Sequence, residues 1–113
     1  MSPILLHNTM RITGDLDAYR AAVADAVSFV EREGPQLMVE VFIDEANRLA
    51  HSFQLYQDSE AILAHWKLSD PYIQEVMKHC EIDELVVYGE PSAEVLEGIG
   101  DVRVVPQFTG FVR

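Results

Sequence analysis

The apolar residues of this chain change their spacing several times, and each change marks an element. Ile4 to Thr13 is rich in β-compatible side chains and stops at Gly14-Asp15, a turn signal, which predicts a first strand. From Leu16 the apolar positions Tyr19, Val23, Val27 and Val30 recur every three or four residues, with Ala22, Ala26 and Phe29 widening the stripe. That is the period of an amphipathic helix, capped by Asp15 or Asp17 and stopped by Gly34-Pro35. Gln36 to Ile43 is a near-continuous apolar run with Glu40 as its interior acid, hence a second strand. After the turn Asp44-Glu45-Ala46-Asn47, residues Arg48 to Gln57 alternate Leu49, His51, Phe53 and Leu55 with Ala50, Ser52, Gln54 and Tyr56, which makes a hairpin.

Asp58 or Ser59 caps the next helix, whose apolar face is Ile62, Leu63 and Trp66. Ser69-Asp70-Pro71 predicts a break, because proline suits the first turn of a helix but not its middle. A second helix then buries Tyr72, Ile73, Val76 and Met77. Glu81 to Tyr88 is a further strand, turned by Gly89-Glu90-Pro91-Ser92, and Ser92 to Ile99 is a short capped helix. Asp101 to Val112 is a last strand, which tolerates Pro106 and Gly110 only at an edge or on a bulge. The order β-α-β-β-α-(α)-β predicts an α+β, ferredoxin-like antiparallel sheet with helices on one face, in a single domain spanning residues 1–113. Alternation leaves apolar side chains on both faces of the sheet. The helix-free face is therefore expected to be covered by a second copy, giving a homodimer whose sheets face each other.

Composition narrows the partners. An apolar fraction of 49% with 24% charged residues is that of an ordinary globular protein. No apolar run approaches the roughly 18 to 20 residues that span a bilayer. The start, MSPILLHNTMRIT, lacks the basic region of a secretion signal, so a cytoplasmic protein is expected. Nineteen acidic against eight basic residues give a formal charge of −11, which repels nucleic-acid phosphates and anionic membranes; neither is expected as a partner. Cys80 is the single cysteine and cannot form an internal disulfide. No Cys/His spacing resembles a zinc site and no two histidines occupy adjacent helical turns beside an acid, so no metal is expected. There is no GxGxxG, phosphate loop, HExxH or GxSxG, which argues against a Rossmann cofactor site and a nucleotide hydrolase.

The residues able to do chemistry are few. His7 and Asn8 are neighbours on the first strand and point to opposite faces. A buried amide at Asn8 needs partners, and either bonds a neighbouring loop or offers its groups to a ligand. Trp66, the sole tryptophan, is either core or the wall of a cavity between helices and sheet. Phe29, Phe53, Tyr72 and Met77, with His51, are candidates for the rest of that lining, and the same residues describe an ordinary core. His65 and His79 lie in helices, where His79, near a C-terminus, can instead complement the helix dipole.

The stretch FQLYQDSEAILAHWKLSDPY runs from a strand ending in an aromatic through an acidic helix start and a histidine to a Ser-x-x-aromatic step. It resembles the antibiotic-biosynthesis-monooxygenase family of the dimeric α+β barrel class. The tail from Tyr88 through Gly89-Glu90-Pro91-Ser92 to Gly110-Phe111 is similar to the branch labelled quinol monooxygenases. The resemblance implies an oxygenase that uses no cofactor and acts on a small electron-rich aromatic such as a quinol or anthrone. It also implies roles: Asn8 orients the substrate oxygen, Trp66 stacks on the ring, and His65 or His79 is the base. Two other readings stand beside it. One is a non-catalytic barrel that binds a small hydrophobic ligand or contributes to stress tolerance. The other is a haem-degrading monooxygenase, whose ligating histidine falls ten residues beyond the tryptophan; this chain has Val76 there, with His79 the nearest histidine.

Overall fold

In the computed structural model residues 3–113 are described; Met1 and Ser2, which open the stretch read above as lacking a secretion signal, lie outside the described residues. The strands are β1 (Ile4–Ile12), β2 (Met38–Asp44), β3 (Leu49–Tyr56), β4 (Cys80–Tyr88) and β5 (Arg103–Val105), and the helices are α1 (Leu16–Glu33), α2 (Ser59–Met77) and α3 (Ala93–Ile99). The sheet order is β2-β3-β1-β4-β5, antiparallel except for the parallel β4/β5 edge. This is the expected ferredoxin-like α+β arrangement. Its helix starts follow from the sequence: the side chains of Asp15, Asp58 and Ser92 accept hydrogen bonds from the N–H groups of Ala18, Ala61 and Val95.

Two elements differ from expectation. The break at Ser69-Asp70-Pro71 does not occur; α2 runs on through Pro71. The cause is the continuity of its buried face: His65, Trp66, Ser69, Ile73, Val76 and Met77 follow one another at helical spacing across the proline. Packing along that stripe outweighs the lost hydrogen bond of one imino acid. The last strand is also shorter than the expected Asp101–Val112, because β5 ends at Val105, just before Pro106, which cannot donate to a ladder. The segment beyond it carries Phe108 at 97% exposure.

Alternation along β1 lays out the core. Ile4 and Leu6 join Tyr56, Ile62, Val87 and Val95 in one buried cluster, while Ile12 joins Tyr19, Ala50 and Cys80 in a second, with Met10 packed against it. Asn8 sits between the two, directly opposite Ser52 on β3 and Leu85 on β4. A polar residue at the middle of the central strand, with polar Ser52 beside it, leaves the centre of the core unfilled.

Candidate functional site

That unfilled centre is a cavity of about 370 Å³ between the helices and the sheet. The sheet supplies its floor, with Asn8 from β1, Val39 and Val41 from β2, Ser52, Gln54 and Tyr56 from β3, and Leu85 from β4. The walls are Tyr19, Val23 and Val27 from α1, and His65, Trp66, Ser69, Tyr72 and Met77 from α2; Gly98 and Ile99 of α3 border it too. Among the described residues, none that lines it is Asp, Glu, Lys or Arg.

Six polar side chains, Ser69, His65, Gln36, Gln54, Tyr56 and Ser52, form one connected strip. Ser69, 1% exposed, places its Oγ 2.8 Å from His65 Nδ1, one helical turn away on α2. Gln36, from the α1–β2 connection, places Nε2 3.0 Å from the same Nδ1. Gln36 Nε2 also reaches Gln54 Oε1 at 3.5 Å, Tyr56 OH donates to that oxygen, and Gln54 Nε2 donates to Ser52 Oγ at 3.3 Å. With the Gln36 amide nitrogen facing it, Nδ1 accepts in the tautomer that carries its proton on Nε2. Burial pushes the His65 pKa down to about 4, so the ring is uncharged at neutral pH. Burial also pushes the Tyr56 phenol up, which keeps it a hydrogen-bond donor. None of these hydrogen bonds reaches Asn8. Gln36 Oε1, buried, has no partner among the described residues.

Of the residues singled out from the sequence, the fold brings Asn8, His65, Trp66, Tyr72 and Met77 to this cavity. It does not bring the others. His51 and Phe53 lie on the opposite face of the sheet, because Ala50, Ser52, Gln54 and Tyr56 are the members of β3 that face the helices. There His7 Nε2 lies 3.1 Å from His51 Nδ1, and Phe53 stacks on His7 at 4.2 Å between centroids. Phe29 is on α1 but off the cavity-facing stripe; its ring stacks on Tyr72 at 4.4 Å, joining the two helices. His79 lies in the turn after α2, where its carbonyl accepts from the N–H groups of Thr13 and Gly14 at 3.0 and 3.3 Å. It does not border the cavity, and the one histidine that does, His65, directly precedes Trp66 instead of following it by ten residues, so the haem-ligating arrangement does not fit. Among the described residues there is no group of three or more His, Cys, Asp or Glu able to hold a metal. None of their helices is long and apolar enough to cross a membrane.

Gln36, Gln54, Tyr56 and Ser69 were not foreseen as site residues. On β3 the polar positions Ser52 and Gln54 are on the side that lines the cavity, where Ser52 pairs with Asn8 and Gln54 with Leu6.

The ferredoxin-like sheet with helices over one face is a fold shared with solved proteins of the antibiotic-biosynthesis-monooxygenase kind. The chain is similar to MupZ from Pseudomonas fluorescens, with a TM-score of 0.79 and 16% identity over 100% of this chain and 96% of that one. It is also similar to SnoaB, a cofactor-independent oxygenase from Streptomyces nogalater, with a TM-score of 0.70 and 9% identity over 82% and 97%. A Chloroflexus aurantiacus protein provisionally described as an antibiotic biosynthesis monooxygenase superposes with a TM-score of 0.64 and 21% identity over 76% and 90%. At these identities the likeness is one of fold. No family model and no curated protein matches the sequence.

Proposed function

We propose that the chain, as one domain, is a cofactor-independent monooxygenase. Its substrate is an uncharged, planar phenolic or quinol-type molecule, and its working form is a cytoplasmic homodimer. The observation that carries this reading is the cavity itself: apolar walls, no charged side chain, and hydrogen-bonding groups gathered along one strip of its surface. A carboxylate or phosphate ligand would be buried there without a counter-charge, at a cost of several kcal/mol by the usual order-of-magnitude rule. A flat neutral ring has apolar contacts on both faces and places its oxygen at the polar strip. The cofactor-independent oxygenase with the same fold supports the reaction class.

In such a reaction the ionised substrate itself reduces oxygen, and the protein supplies a dry cavity and hydrogen bonds to the anion. Asn8 and the Nε2–H of His65 are the donors assigned to the substrate oxygen. These hydrogen bonds offset the cost of ionising the substrate in a cavity without a counter-charge. Trp66 supplies the stacking surface. Ligand binding without catalysis is the second reading, favoured by one observation: no carboxylate borders the cavity, and His65, with its lowered pKa, is a weak base.

Oxygen uptake with a panel of quinols and anthrones separates the two. Wild type is expected to consume oxygen, with Asn8→Ala lowering kcat by about a hundredfold to a thousandfold, the scale of losing one oxyanion donor, and Trp66→Phe raising KM. Uptake unchanged by both substitutions would remove the site assignment. Binding of the same compounds with no uptake would favour the non-catalytic reading.

A further inference from the structure

Gly98 lies in the last turn of α3, one residue before its end, where glycine is still a poorer helix former than alanine. Its place is explained by what lies against it. A Cβ on Gly98 would sit 2.5 Å from Trp66 Cζ3, closer than real carbon atoms approach, and a tight 3.1 Å from Cη2. The indole edge therefore occupies the notch left by the missing side chain. Helix α3 is anchored against α2: Ser92 N–H donates to Ser59 Oγ at 2.9 Å at the start of α2, and Val95 is fully buried in the cluster that contains Ile62. The ring, with open space beside it, is the side of the contact that can give. Both Trp66 and Gly98 border the cavity, so displacing the indole from the notch moves it into that space.

We infer that Gly98 is a specificity-determining residue: by letting the Trp66 ring recess against α3, it sets how large a planar ligand the cavity admits. It acts through Trp66 and is a positioning residue, not a catalytic one. The inference rests on the cavity being the ligand site, but the placement of the ring is testable without any ligand. Trp66 is the only tryptophan, so intrinsic fluorescence reports on this wall alone.

The test combines Gly98→Ala, Trp66→Phe and the double variant, read by tryptophan emission, thermal melting and titration with 2-naphthol (two rings) and anthrone (three rings). Gly98→Ala should shift the Trp66 emission and lower Tm. It should weaken anthrone binding by about tenfold, the scale of overpacking, while leaving 2-naphthol within about threefold. In the Trp66→Phe background, where the clashing atoms are gone, the same substitution should raise Tm, because alanine is the better helix former. If Gly98→Ala alone fails to fold, a folded double variant still carries the inference. It is overturned by unchanged emission, by equal loss of both probes, or by a Tm change of the same sign in both backgrounds. Failure of wild type to bind either probe overturns it too, together with the reading of the cavity; normal probe binding with no size discrimination overturns the role of Gly98 alone.

Discussion

His65 shows how one side chain's surroundings fix its role. It is 8% exposed, and burial holds its folded pKa at about 4 against 6.5 for the free group. Between those values the unfolded chain binds a proton that the folded protein does not. Stability therefore falls as pH drops from 6.5 through about 4, by about 3 kcal/mol in full, and this contribution is constant above 6.5. His65→Gln is expected to flatten that window in urea melts recorded from pH 7 to pH 4; an unchanged slope would contradict the burial of the ring. The sequence made His65, Trp66 and Asn8 legible as residues with chemistry to offer. It could not show which face of β3 the helices cover, so Phe53 and His51 were placed in the lining and Gln54 and Ser52 were not. Phe53 and His51 lie on the side of that strand turned away from the cavity, a choice made by register with β1 rather than by polarity.

At the scale of elements, the caps were legible because they are local. Asp58 accepts from Ala61 N–H at 2.9 Å, as an N-cap should, and Asp58→Ala is expected to cost about 1 kcal/mol in chemical denaturation. The continuity of α2 was not legible, since proline read locally says stop while the buried stripe from His65 to Met77 says continue. The same conflict gives an expected outcome: Pro71→Ala, at an exposed position inside the helix, restores the N–H that can bond the carbonyl of Lys67. It should raise Tm, with a gain of roughly 1 to 3 kcal/mol, without altering ligand binding. A fall in Tm would mean that the proline's restriction of the unfolded chain outweighs the missing bond. Strand β5 was over-extended because Asp101 to Val112 is β-compatible in composition, whereas pairing needs a partner edge and an N–H that Pro106 lacks.

At the scale of the molecule, the helix-free face is where the proposed second copy belongs. Phe42 is 57% exposed there, with Met38 also exposed and Phe53, His7 and His51 half-buried. Phe53→Glu, which leaves the cavity lining untouched, is expected to convert a dimer into a monomer by sedimentation at micromolar concentration. A monomeric wild type would contradict the homodimer. Association is also expected to weaken on acidification. The His7–His51 contact requires an imidazole that can accept, and burial followed by the neighbouring His51 charge already holds the His7 pKa down, against the pull of Glu84. The element order is legible because caps and periods are short-range, and it leads to the fold; the cavity is not, because it depends on which residues meet across strands. The central claim is that the space around Asn8, His65 and Trp66 is a ligand site. Crystals grown with a neutral planar phenol test it most directly: density is expected between the Trp66 ring and the sheet, with the phenol oxygen in hydrogen-bond reach of Asn8 or His65, whereas a ligand seated elsewhere, or an unaltered cavity at saturating phenol, would contradict it.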